Sequence, residues 1–412
     1  MSARTAICRF IAGPACAGIF VLGLLLPAPA EAEDVKIGIL FGASGPIASR
    51  VPALLDAVKL AVDEVNANGG ILKGQKLQTV IVDTQGTAQG AVDAATKLVN
   101  VDHVAAIVGG LTSVTLMAAA HGVTIPKGVL LISPTSTAPI VTMLEDNDFV
   151  FRTIPSDALQ GWMLGKLVYD KGFRNVALTY VNTDYGSGLA DTFRASFENL
   201  GGTITLAQAH EPNKSSYLPE LTALAQGNPQ ALVLISYAAT GGITIIKESL
   251  EHGFFKQFIG TNALRDDLLI KEVGADNLKG IFFTSPVPFQ GTSALAKFEK
   301  DYSAAYKTTE GKFFIAHTYD AVMLAALAIE QAGSTDRTKV RDALRIVCCA
   351  PGEVIEPGEW AKAKADIAAG KKINYEGASG PHEFDESGDV AGAIGHFVID
   401  NGVYKRIEIL RP

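Results

Sequence analysis

From residue 33 to its end the 412-residue chain alternates short apolar runs with amphipathic ones, and that rhythm limits what it can fold into. Val35–Phe41 (VKIGILF) predicts a strand, and Pro52–Ala67 a helix with Leu54, Val58, Ala61, Val62 and Val65 on one face. Strands are predicted at Leu77–Asp83, Val104–Val108 and Val129–Ile132, with helices at Ala88–Asn100 and about Val114–Gly122. A second series starts near residue 154: helix Asp157–Lys171, strand Asn175–Tyr180, helix Gly188–Leu200, strand Thr203–Ala209 and a helix around Tyr217–Ala225. Strand Ala231–Ile235, helix Gly241–His252 and strands Gln257–Gly260 and Ile281–Thr284 complete it, before helices at Ser293–Thr308, Phe314–Ala332 and Thr335–Arg345. Short apolar strands separated by helices specify parallel sheets covered on both faces. The expectation is an α/β fold of two doubly wound parallel-sheet lobes with a cleft between them. No sequence repeat relates the halves. Pro351–Asp389, rich in Gly, Pro and charge, predicts a surface excursion with one short helix near Glu359–Gly370.

The N-terminus predicts export. Arg4 and Arg9 precede a short apolar run, Ile19–Leu26, and small residues then lead to Ala30-Glu31-Ala32. That order is a secretory signal peptide over residues 1–32, with the mature chain starting at Glu33. The run is too short for a spanning helix of ~20 residues, and Cys16 precedes the apolar core, which argues against a lipoprotein site. A net charge of −8 and the absence of any long Lys/Arg run exclude a nucleic-acid footprint. Cys348 and Cys349 are adjacent, so a strained vicinal disulfide and two free thiols both remain open. No Cys or His stands at metal-ligand spacing, and no cofactor is expected.

In open α/β sheets a ligand binds beyond the carboxyl ends of the strands, at helix N-termini that suit anions. Those loops here read Gly42-Ala43-Ser44-Gly45-Pro46 followed by Arg50, then Gly109-Gly110-Leu111-Thr112-Ser113, then Ser133-Pro134-Thr135-Ser136-Thr137. In the second series they read Asn182-Thr183-Asp184-Tyr185-Gly186 and Ser236-Tyr237-Ala238. Ser113 and Thr137 can donate to a carboxylate beside free amides, and Tyr185 and Tyr237 can cover an apolar group from the other side. Each hydroxyl can equally be a helix cap and each glycine a turn. Arg50 can bind an acidic group bidentately or stand solvated at a helix start. No dinucleotide fingerprint, P-loop, G-x-S-x-G or H-E-x-x-H occurs, and the seven histidines are scattered. No nucleophile–base pair follows from spacing, so catalysis has no positive support.

These segments resemble the leucine/isoleucine/valine-type, or type I, periplasmic solute-binding proteins of ABC importers. The similar stretches are Val35–Pro46, Ala57–Gly70, Ile107–Ser113, Leu131–Pro139, Phe151–Gly161 and Asp184–Ala190. The resemblance implies two lobes joined by three crossovers, near Thr153, Thr284 and Gly388–Ala393. Residues 33–153 with 285–390 would form one lobe, and 154–284 with 391–412 the other. It implies a monomer that closes on a small carboxylate ligand and docks on an inner-membrane permease, or on a membrane receptor if the protein is a sensor. Ser113 and Thr137 would be the carboxylate-binding hydroxyls, with main-chain contacts from Leu111 and Thr135. Tyr185 would meet the ligand head and Phe314 its side chain. The family's second tyrosine aligns with Ala238, one step from Tyr237.

One departure bears on the ligand. Where the family's amino-acid binders present an acid to the ammonium, this chain aligns Asn262, unless Asp266 or Asp267 substitutes. An amide brings no charge. Together with Arg50, that keeps an aromatic acid or dicarboxylate open beside a branched-chain amino acid.

Overall fold

The computed structural model describes residues 33–411 except Glu310, together with Ala3, Thr5, Ala6, Ile7, Arg9 and Ile11. The apolar run and cleavage point of the expected signal peptide lie outside the described residues. The main compact unit begins at Asp34. Its opening series is β1 (Val35–Phe41), α1 (Val51–Ala67), β2 (Leu77–Asp83), α2 (Ala88–Asn100), β3 (Ala106–Gly109), α3 (Ser113–Ala119), β4 (Leu130–Ser133) and β5 (Val150–Arg152). The five strands pair in parallel in the order β2-β1-β3-β4-β5. Inner strand β1 is apolar on both faces: Ile37, Ile39 and Phe41 join one core and Leu40 another, as a sheet covered by helices on both sides requires.

The second series is α4 (Asp157–Asp170), β6 (Asn175–Val181), α5 (Asp184–Asn199), β7 (Thr203–His210), α6 (Leu218–Leu224), β8 (Ala231–Ile235), α7 (Ile243–Glu251), β9 (Phe258–Gly260), α8 (Asp267–Val273) and β10 (Phe282–Val287). Its parallel strands take the order β7-β6-β8-β9-β10, the pattern of the first sheet again. The chain then adds α9 (Ser293–Tyr306), α10 (Ile315–Ala332), α11 (Arg337–Cys348), β11 (Glu353–Ile355), α12 (Trp360–Ala368) and β12 (Ile373–Tyr375). Helix α10 packs on α1, β3 and β4 and is buried continuously from Ile315 to Ile329. Finally β13 (Ala393–Asp400) and β14 (Val403–Leu410) extend the second sheet as an antiparallel hairpin beside β10.

Four features differ from the sequence reading. The second sheet is mixed, because the terminal hairpin pairs antiparallel; its turn is Asn401-Gly402, both at positive φ. Strand β10 runs three residues past Thr284, and α5 starts at Asp184, four residues before Gly188. The excursion after Pro351 is built, with β11 and β12 paired in parallel and Trp360 and Tyr375 fully buried. Cys348 and Cys349 are joined by a disulfide, one of the two states that the sequence left open.

The end of β5 is tied to the segment that leads into β13. Arg152, fully buried at the end of β5, donates from Nε to Asp389 Oδ1 (2.7 Å) and from NH2 to Asp389 Oδ2 (2.5 Å). Its own amide donates to the Gly388 carbonyl at 3.0 Å. A bidentate pair of this kind fixes geometry as well as charge.

Candidate functional site

Helix α3 is set by its cap. Thr112 accepts from the Thr115 amide (3.3 Å) while Thr115 Oγ1 accepts from the Thr112 amide (3.1 Å), a reciprocal box that leaves Ser113 on the first turn. Ser113 Oγ accepts from the Ala138 amide at 3.3 Å, so its own proton stays available to a ligand. The neighbouring hydroxyls are committed. Thr135 Oγ1 donates to the Leu111 carbonyl (2.6 Å), and Thr137 Oγ1 donates to Asp157 Oδ2 (2.6 Å). Thr137 is therefore not the free donor that the sequence reading expected.

Asp157 lies at the start of α4 and is fully buried, with Oδ1 lacking a hydrogen-bond partner. Burial pushes its carboxyl up to about 7, against the opposing pull of the Thr137 hydroxyl and the Arg152 charge.

The facing wall is aromatic and amide. Tyr185, on the first turn of α5, and Tyr237, just beyond β8, put their ring centroids 5.3 Å apart. Burial raises the pKa of both phenols, so both are neutral hydrogen-bonding groups. Tyr185 Oη shares a hydrogen bond with Thr261 Oγ1 (2.8 Å) and donates to Asn262 Oδ1 (3.2 Å). Gln160 Nε2 donates to the same Oδ1 (3.1 Å) and to the Thr284 carbonyl (3.3 Å). A carbonyl only accepts, so the Gln160 amide orientation is fixed, and Asn262 must turn its oxygen toward it. The acceptor of Asn262 is thus spent, and its Nδ2 has no partner among the described residues.

Arg50 crosses the gap. Its NH2 donates to the carbonyls of Asn262 (2.8 Å) and Arg265 (3.1 Å), its Nε stands 3.5 Å from Asp266 Oδ2, and Ser49 Oγ donates to that oxygen at 2.6 Å. The guanidinium is therefore a strap between the lobes, and its NH2 is not free for bidentate capture of a ligand acid. Phe314, the N-cap of α10, holds a left-handed backbone (φ 62°) that bulky residues rarely adopt.

Arg50, Ser113, Thr135, Thr137, Tyr185, Tyr237, Asn262 and Phe314 line one cavity, together with Ile47, Leu54 and Ala263. Leu111 and Ala238 do not line it: Leu111 serves through the carbonyl that holds Thr135, and Ala238 turns its amide to the Ala263 carbonyl at 3.3 Å. Tyr237 is the residue of that pair facing the gap. Asp266 caps α8 through Oδ1 (2.9 Å to the Leu268 amide), and neither it nor Asp267 lines the cavity. Gln160 escaped the sequence reading, although a glutamine on the first turns of an otherwise apolar helix was a visible signal. The space left is about 20 Å³, roughly the room of one water. The lobes stand shut over it, and a larger solute enters only when they part. Among the described residues no group of His, Cys, Asp and Glu is placed to hold a metal.

Two sheets of like strand order with a polar gap at their carboxyl edges are matched by a family model, periplasmic binding protein, over residues 34–389. The chain belongs to this family. As a periplasmic binding protein it is 30% identical over 318 residues to the Leu/Ile/Val-binding protein BraC3 of Rhizobium johnstonii, covering 75% of this chain and 82% of that one. It is also similar to the branched-chain amino acid transporter substrate-binding protein LivJ of Streptococcus pneumoniae, solved in complex with isoleucine. That likeness has a TM-score of 0.76 at 26% identity and covers 92% of this chain and 100% of that chain. The fold recurs in an ABC-transporter solute-binding protein of R. palustris solved in complex with benzoate, at TM-score 0.74, 18% identity, and coverage of 92% and 97%.

Proposed function

We propose that this periplasmic binding protein is the exported, solute-capturing component of an ABC importer, and that it closes on a small carboxylate. One observation carries the reading: the available Ser113 proton faces the Tyr185–Tyr237 pair across a gap strapped by Arg50. Ser113 and the main chain around Thr135 and Thr137 would grip the carboxylate, Tyr185 would meet the ligand head, and Ile47, Leu54 and Phe314 would hold an apolar tail. The lobes would comprise 33–153 with 288–390, and 154–287 with 391–412, because β10 carries the second crossover past the expected Thr284 to Val287. Delivery would be to an inner-membrane permease, from a monomer released by cleavage before Glu33. The cavity residues present no nucleophile beside a base, which favours binding over catalysis.

The relatives' names favour a branched-chain amino acid. The Asn262 amide favours a second reading, an aromatic acid or other carboxylate without an ammonium, because the residue offers a donor where an ammonium needs an acceptor. Mass spectrometry of the solute released on denaturing the purified mature protein, with thermal-shift titration of leucine, isoleucine, valine and benzoate, tests both. A branched-chain amino acid whose binding strengthens in Asn262→Asp supports the first reading. An acid that Asn262→Asp rejects supports the second. Retention of neither class, with no shift from any compound, sinks the proposal.

A further inference from the structure

A second cavity, about 350 Å³, lies behind Phe314, which lines both spaces. Its wall holds Arg265, only 6% exposed. The Arg265 guanidinium is sandwiched between aromatic faces, 4.0 Å from the Phe313 centroid and 3.8 Å from that of Phe397. Its NH2 donates to Ser285 Oγ at 3.1 Å, and its Nε is buried without a hydrogen-bond partner. Among the described residues no carboxylate pairs with it.

A guanidinium this basic stays charged when buried. Stacking on two rings offsets part of the desolvation cost, but a buried cation without a counter-charge is otherwise unfavourable and strongly attracts an anion. Among the described residues the same wall carries Arg406 and Lys312 against one acid, Glu299, a balance that favours negative charge. Val287, Leu295 and Phe298 give the cavity an apolar side, and the volume falls in the range of small-molecule sites.

We propose that this cavity is a second binding site, for a small carboxylate with an apolar body, which Arg265 holds through its unpaired N–H groups. The site goes beyond the solute of the interlobe gap. It shares a loop with that gap, since the Arg265 carbonyl is one that Arg50 grips.

Crystals of the mature protein grown with 4-bromobenzoate locate the site through the anomalous scattering of bromine. The expected peak lies beside Phe313 and Phe397; a peak confined to the interlobe gap, or none at millimolar probe, overturns the proposal. Calorimetric titration of the same probe adds a quantitative arm. Arg265→Met is expected to weaken binding at this site by about tenfold or more while the melting temperature holds or rises, because an uncompensated buried charge is gone. Undiminished binding by a folded Arg265→Met variant overturns it equally. Should that variant fail to fold, the bromine position in the wild-type crystal decides.

Discussion

The two walls of the gap use polar groups in opposite ways. On the first lobe, Thr135 and Thr137 spend their protons on the Leu111 carbonyl and on Asp157, and only Ser113 keeps one to give. On the second, Tyr185 and Gln160 both donate to Asn262 Oδ1, which leaves an amide nitrogen without a partner among the described residues. The first wall is a rigid frame with one outward donor; the second is a relay whose far end decides what the near end offers. Hydroxyl content alone therefore says little about what a wall can bind, because the partners behind it set which protons remain.

The comparison breaks most visibly at Asp157. Its carboxyl titrates near 7 when folded against 3.8 as the reference, so the folded state holds the proton more tightly. The stability this gives is present in acid and is lost as pH rises from about 4 to 7. Asp157→Asn removes the loss: its advantage over wild type in urea unfolding grows from near zero at pH 4 to about 4 kcal/mol at pH 8. A flat difference across that range contradicts the buried-acid account. Next in size is Ser113→Ala, expected to cost carboxylate binding about 2 kcal/mol in calorimetry while the frame stays folded. Arg50→Ala leaves the carbonyls of Asn262 and Arg265, and Asp266, without their strap, and is expected to weaken solute binding by about tenfold, mostly through faster release in stopped flow. Tyr237→Phe sharpens the contrast from the other end. The Tyr237 hydroxyl has no partner among the described residues, so its loss changes stability by under about 0.5 kcal/mol.

Most of the frame was legible because strands buried on both faces, such as β1 and β8, read as continuous apolar runs between helices of period 3.6. Three-residue β5 was not, since Val150-Phe151-Arg152 has no room for a period, and its arginine is neutralised by Asp389, 237 residues away. The terminal hairpin announced itself through Asn401-Gly402 and was overlooked amid charged outward positions. Eight of the ten expected site residues share one cavity, because loops after parallel strands converge on one edge whatever their side chains do there. What those side chains do was hidden. Nothing local to Thr137 reveals that Asp157, twenty residues on, takes its proton, and nothing near residue 50 says that its guanidinium reaches backbone at 262–265.

Apart from the Asp266 carboxylate, Arg50 grips peptide oxygens, which every amino acid supplies equally. On the proposed function, exchanging Asn262 or Ala263 for another residue would alter which solute fits yet leave in place the main-chain oxygens that Arg50 holds. Selectivity and clamping would thereby be separable, each open to change by its own substitution.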